Sequence, residues 1–165
     1  RQRQMCIRDS PKKGRKHILY IIRELLDFKP ESKRTNLQGA IEYLTNVLKK
    51  RCTAFVLSDF IDDSDFKNAL TVANRKHDVI AMQVYDRRME ELPDVGLMRV
   101  RDAETGHEQW IDTSSKALRN AHHAWWMERQ EKLNDIFTRS NVDSVSVRTD
   151  QDYVKALMNL FAKRN

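Results

Sequence analysis

Thr53-Ala54-Phe55-Val56-Leu57, entered through Lys49-Lys50-Arg51-Cys52 and left through Ser58-Asp59-Phe60, is the stretch whose reading decides the fold. A near-continuous apolar run without alternation suits a strand covered on both faces, as in a parallel sheet. The cations ahead of it suit the end of a helix, where the macrodipole favours positive charge. Upstream, Leu37, Ala40, Ile41, Leu44, Val47 and Leu48 recur at helical spacing. Thr35-Asn36-Leu37-Gln38 has the form of a capping box for that helix, with Thr35 as the cap and Gln38 reaching back. Downstream the unit repeats: Phe66, Ala69, Leu70 and Ala73 mark a helix, and Val79 to Val84 a second buried strand that ends at Asp86. Helices alternating with buried strands predict a parallel sheet covered on both sides.

The flanks extend this plan. Ile18, Leu19, Ile22, Leu25 and Leu26 predict an amphipathic helix over about 15–27, closed by Phe28-Lys29-Pro30. Beyond Leu92-Pro93-Asp94, the segments Leu97 to Arg101 and Gln109 to Ile111 flank Ala103-Glu104-Thr105-Gly106 and predict a hairpin at the sheet edge. Asp112-Thr113-Ser114 starts a long amphipathic helix with Leu118, Ala121, Trp125, Leu133 and Ile136 on its core face. Trp125 and Trp126 are adjacent, so only one can face that core; the other meets a different element or a partner. Ser144 to Arg148 alternates as a strand, and Tyr153, Leu157, Leu160 and Phe161 give a closing helix capped by Asp150 or Asp152.

With 165 residues, 40% of them hydrophobic and 33% charged, the chain has the balance of one soluble globular domain. No apolar run approaches the roughly 20 residues that span a bilayer, and no apolar segment follows the N-terminal cations, so a cytoplasmic location is expected. Residues 1–10, Arg1 to Ser10, fit no helical or strand period and resemble the translated end of a sequencing adapter; they read as a non-native scar ahead of a domain over 11–165. Arg1, Arg3, Arg8 and Asp9 carry two of the six net positive charges, leaving four spread among alternating signs. That is no nucleic-acid footprint, which needs clustered cations. Setting Cys6 aside leaves Cys52 without a disulfide partner, and Cys52 reads as a small buried hydrophobe, Lys50 and Arg51 being thin support for a reactive thiol.

Ligands of open α/β sheets bind outside the carboxyl ends of the strands. Asp59 follows the first strand, and Thr35 starts the helix that leads into it. A hydroxyl and a carboxylate are the donors a hard cation such as Mg²⁺ prefers, but they fill only part of its shell. Asp62, Asp63 and Asp65 read as helix caps and solvated charge. His122 and His123 are adjacent and lack the four-residue spacing that lets two imidazoles share zinc, so they read as packing or surface residues. His17, His77 and His107 stand alone, and Ser114 and Ser115 have no visible base. Only four glycines, unclustered, exclude a phosphate-cradling loop.

Arg34-Thr35-Asn36-Leu37 and Phe55-Val56-Leu57-Ser58-Asp59-Phe60 resemble the later two elements of the metal-ion-dependent adhesion site of von Willebrand factor A domains. More closely, Pro11 to Arg164 resembles the C-terminal region of the bacterial domain of unknown function 58 family. The stretches that carry this are Pro11 to His17, Leu57 to Phe60, Arg75-Lys76-His77-Asp78-Val79-Ile80, Leu92 to Gly96, Trp110 to Thr113 and Thr149 to Val154. The resemblance implies a von Willebrand factor A-like (Rossmann-like) α/β domain of three layers, with a mostly parallel sheet, its N-terminal strands missing, and an edge hairpin near 97–111. It implies that Thr35 and Asp59 occupy metal-site positions for Mg²⁺ in the full-length protein. The family's Asp-x-Ser-x-Ser motif, expected on an earlier strand, is not in this chain, and Arg34 stands where the family commonly has Gly. Thr35 and Asp59 alone are therefore not expected to hold the ion.

Two functions follow as expectations. One is a non-enzymatic interaction module whose bound cation takes an acidic side chain from a partner protein, the resemblance implying a MoxR-type AAA+ ATPase as associate. The other is a Mg²⁺-dependent phosphoryl-transfer enzyme or nuclease using strand-end carboxylates. The missing first strand leads to one expectation of its own. Residues 11–165 alone should be marginally stable or aggregate, and a cooperative, monomeric thermal transition would count against it.

Overall fold

A computed structural model describes residues 13–27, 35–62, 64–102 and 105–164. The segment read as a scar, Phe28-Lys29-Pro30 read as closing the first helix, Arg34, Asp63 and the hairpin residues Ala103 and Glu104 lie outside the described residues. The chain divides into two compact units, 1–34 and 35–165. In the first, α1 (Arg15–Asp27) has the predicted bounds and carries an exposed Arg23–Asp27 ion pair at 3.3 Å. Its apolar residues Ile18, Leu19, Ile22, Leu25 and Leu26 are all exposed.

The second unit runs α2 (Leu37–Val47), β1 (Thr53–Ser58), α3 (Lys67–Lys76), β2 (Asp78–Tyr85), α4 (Arg87–Glu90), β3 (Leu97–Arg101), β4 (Glu108–Asp112), α5 (Lys116–Arg139), β5 (Asp143–Arg148) and α6 (Tyr153–Arg164). It is a mixed α/β fold. β1, β2 and β5 form a parallel sheet in that order, Thr53 lying opposite Asp78 and Ile80 opposite Asp143. No helix among the described residues is long and apolar enough to cross a membrane.

Successive strand residues point to opposite faces, and this sorts the core. Ala54 and Val56 of β1 with Val79 and Ala81 of β2 pack against Ile41 of α2, Leu70 of α3 and Phe137 of α5. On the other face Ile80 and Val147 are buried, as is Leu160 of α6, which packs on β5. Arg164 at the end of α6 pairs with Asp78 and, at 3.2 Å, with Asp143, the first residues of β2 and β5.

Four expectations need correction. β1 is not covered on both faces: Phe55 is 45% and Leu57 63% exposed. Among the described residues β1 has a strand neighbour on one edge only, and α6 packs chiefly on β5, reaching β1 with the Phe161 ring, edge-on and 6.4 Å from Phe55. The hairpin does not extend the main sheet, because β3 and β4 pair only with each other. Its base is held by Thr113, which does not start α5 as expected: fully buried, its hydroxyl donates to the Gly96 carbonyl (2.7 Å) and accepts the Val95 N–H (3.2 Å). Ser115 caps α5 instead, accepting the Leu118 N–H. The core face of α5 carries Trp126, Leu133 and Phe137, and it is Trp126 that packs 5.1 Å from Tyr85, while Trp125 stays 45% exposed. At α6 the cap is Asp152, accepting the Val154 N–H at 2.9 Å.

One polar side chain lies within the inner face. Gln83 of β2 is 2% exposed; its Oε1 accepts the Ser146 hydroxyl of β5 (2.9 Å) and its Nε2 donates to the Asp59 carbonyl (3.4 Å). A Gln83→Met chain keeps the volume but removes both hydrogen bonds, whose other partners belong to exposed residues, so it should lose about 1 kcal/mol of stability. Urea unfolding checks this, and an unchanged midpoint would show that the tie contributes nothing.

Candidate functional site

Parallel strands deliver their carboxyl ends to one side of the sheet, here at Ser58, Tyr85 and Arg148. Asp59 is the first residue beyond β1 and is exposed. Its Oδ1 accepts the Ile61 N–H at 3.1 Å, and the Ser58 hydroxyl accepts the Phe60 N–H at 3.0 Å. Phe60 has φ 56, in the left-handed region that an aromatic residue seldom enters. Its ring is 3% exposed and packs edge-on to Phe137 at 5.1 Å and beside Phe66 at 6.1 Å. A buried ring therefore holds a strained turn, and the turn holds the Asp59 carboxylate out to solvent.

Thr35 is exposed, two residues ahead of α2. It is not the cap that the sequence suggests. Asn36 Oδ1 accepts the Gly39 N–H at 2.7 Å, and Gln38 turns to Glu42 (2.9 Å) rather than back. A Cβ at position 39 would come within 3.0 Å of the Asn36 amide, so Gly39 leaves room for this cap.

The two segments are joined by Asp62, which sequence reasoning assigned to capping and solubility. Its Oδ2 accepts the Leu37 N–H at 2.6 Å, across 25 residues of sequence, and its Oδ1 accepts the Ser64 N–H at 2.8 Å. Arg129 of α5 reaches the carbonyls of Phe60 (3.5 Å) and Asp62 (3.4 Å). The start of α2, the β1–α3 loop and α5 thus meet around one carboxylate. Burial opposes its charge, but the Leu37 and Ser64 N–H donors and the Arg129 guanidinium outweigh burial and hold the Asp62 carboxyl below its ordinary range.

Thr35 and Asp59 suit Mg²⁺ in kind, both offering hard oxygen donors. They do not suffice in number. Among the described residues no three His, Cys, Asp or Glu come together in a metal-holding group. Asp59 Oδ1 and both Asp62 oxygens are already committed to backbone N–H groups.

The neighbouring strand ends are structural. Burial raises the Tyr85 hydroxyl above its usual range, Glu90 adding to the effect and Arg148 opposing it. Asp86 caps α4 and is held well below the ordinary carboxyl range by its hydrogen bonds from the Arg88 side chain and backbone. His122 Nε2 lies 2.9 Å from the Met89 carbonyl and His123 Nδ1 3.2 Å from that of Glu90. Packing was the expected role for both, though they reach the same turn instead of diverging. Ser114 bonds Asp112 at 2.6 Å. Beside this rim the exposed Trp125 lies 5.8 Å beneath the Arg129 guanidinium. His77, read as isolated, is fully buried with Nδ1 3.5 Å from Cys52 Sγ.

A family model described as Protein of unknown function DUF58 matches residues 2–132. Uncharacterized proteins of Mycobacterium bovis and Mycobacterium tuberculosis are 29% identical over 155 residues, covering 92% of this chain and 48% of their own. An uncharacterized protein of Mycobacterium avium is 27% identical over 135 residues, covering 82% of this chain and 79% of its own. The chain thus spans about half the length of the first two relatives. Among solved structures, the conserved hypothetical protein BatB from Bacteroides thetaiotaomicron is similar with a TM-score of 0.47 and 17% identity, over 88% of this chain and 68% of that one.

The Asp62 staple carries a pH signature. Its folded pKa lies below the ordinary value of 3.8, so its contribution is present above about pH 4 and is lost as pH falls through the lower folded value. Asp62→Ala should cost about 1 kcal/mol at neutral pH, the usual cost of losing a helix cap. The variant should also lose less stability than the parent on acidification below pH 4. Parallel stability curves for the two chains would remove Asp62 from this role.

Proposed function

The chain belongs to the DUF58 family of proteins of unknown function, and we propose that its second unit is a non-enzymatic protein-interaction module of von Willebrand factor A-like fold. The observation that carries this reading is the presentation of Asp59: an exposed carboxylate at the carboxyl end of β1, on a turn fixed by the buried Phe60 ring and the Gln83 and Asp62 hydrogen bonds. A charge held outward by a rigid scaffold suits recognition of a partner. Phosphoryl transfer asks for more, a second carboxylate and a base beside Asp59. Asp62 is the nearest acid in sequence among the described residues, and its oxygens are taken by Leu37 and Ser64.

In the longer protein, an Asp-x-Ser-x-Ser strand would complete the donor set begun by Thr35 and Asp59. The Mg²⁺ so held would offer an open coordination position to an acidic side chain of the partner. A MoxR-type AAA+ ATPase is the partner that family resemblance favours, in the bacterial cytoplasm, with the module assisting maturation of other proteins.

Binding of the full-length protein to the MoxR-type ATPase of the same genome tests this. Chelation or Asp59→Ala should weaken binding about tenfold or more, a change of at least 1.4 kcal/mol, while the variant, which loses the exposed hydrogen bond from the Ile61 N–H, stays folded by circular dichroism. Equal binding by Asp59→Ala would sink the proposal. Mg²⁺-dependent phosphoester hydrolysis that Asp59→Ala abolishes would replace it with the enzymatic reading.

A further inference from the structure

Cys52 stands one residue before β1 and His77 one residue before β2. The ladder that opens with Thr53 opposite Asp78 therefore sets them side by side, and Asp78 N–H donates to the Cys52 carbonyl at 2.9 Å. His77 closes α3 through its backbone N–H to Ala73 (2.8 Å), which fixes where the ring enters the core. The ring has no exposed surface. Its Nδ1 lies 3.5 Å from Cys52 Sγ, and its Nε2 is buried with no hydrogen-bond partner. Among the described residues the thiol is thus the side-chain partner of a completely buried imidazole. A residue kept for packing alone would fill this space without an orphaned nitrogen, which costs about 1–3 kcal/mol.

Cys52 is half-buried, so the residue keeps some contact with solvent. Exposed Lys49, Lys50 and Arg51 precede it, and Arg75 and Lys76 precede His77. A proton acceptor within reach and partial exposure are features that separate reactive cysteines from inert ones. Cys52 also packs against the hydrophobic core, which keeps the sulfur in place.

We propose that Cys52 is a modification site: a nucleophilic thiol whose proton is taken by His77 Nδ1, reactive toward hydroperoxides. Sγ bonds to one peroxide oxygen as the O–O bond breaks, and the departing hydroxide takes up the proton that left sulfur for Nδ1. Sulfenic acid and water result, the sulfur losing the two electrons that the peroxide gains. The site lies at the amino ends of the strands, away from Asp59, and does not depend on the binding role.

The full chain carrying Cys6→Ser, with Cys52 as its one thiol, is treated with hydrogen peroxide and trapped with dimedone for mass spectrometry. Cys52 should react about tenfold or more faster than N-acetylcysteine, within what a positioned base contributes. In His77→Gln, folded by circular dichroism, the rate should fall to that of the free thiol and the pH profile should change shape. A parent rate at or below the free thiol overturns the proposal, as does a folded His77→Gln chain with unchanged rate and profile. Should His77→Gln fail to fold, the parent rate alone decides in the same way.

Discussion

The Gln83 side chain is the constraint on which the carboxyl end of the sheet depends. An amide on the dry inner face of a sheet must satisfy both of its ends or lose the hydration it gave up, a cost that can exceed the worth of any single hydrogen bond. Gln83 meets this by accepting a hydrogen bond from the Ser146 hydroxyl of β5 and donating one to the Asp59 carbonyl beyond β1. Three successive positions across the sheet are thereby locked to one another by side chains as well as by the backbone ladder. The turn at Phe60 follows from this. A left-handed residue with a side chain costs about 1–2 kcal/mol, while burying an aromatic ring contributes about 1.5–3 kcal/mol. Burial wins, and the strained conformation persists.

Electrostatics acts on the same region through backbone groups more than through ion pairs. The pairs Arg87–Glu91, Lys132–Glu128 and Arg139–Asp135 all join exposed side chains one helical turn apart, where solvent screens them to a few tenths of a kcal/mol. Asp62 differs in kind. It satisfies one of the N–H groups that the first turn of α2 cannot satisfy itself. Its charge meets the positive end of that helix, and Arg129 reaches the carbonyls of the same loop from α5. The site is held by completing a helix end from outside the helix.

Periodicity made most of the elements legible, down to the bounds of α1 and the alternation of helix and strand through β2. What it left out was anything set by partners distant in sequence. The apolar character of Thr53 to Leu57 reports that a strand forms, but not how many neighbours it has, so the exposure of Phe55 and Leu57 was invisible. Thr35 and Asn36 are both good caps by residue type, and the choice fell to Asn36, beside a glycine that makes room for its amide. Trp125 and Trp126 fit the helical period equally well, and Tyr85, on another element, decides between them. Of the candidate site, Asp59 was legible from its place at a strand end. The Leu37–Asp62 and Cys52–His77 contacts each span 25 residues and arise only once strand register is set.

Register also explains why an exposed edge can present a rigid group. β2 is the strand flanked on both sides, and Val79, Ile80 and Ala81 in its first half are all but completely buried on both faces. Opening of the backbone is costliest there, since every contact must break together. β1 has one strand neighbour among the described residues and an outer face only partly covered, by the Phe161 ring on Phe55, so alone it would be the more easily opened strand. Asp59 follows β1 in sequence but is tied to β2 by Gln83 and to α2 and α5 by way of Asp62 and Arg129. Its position is therefore set by the best-buried part of the fold and not by the strand that delivers it.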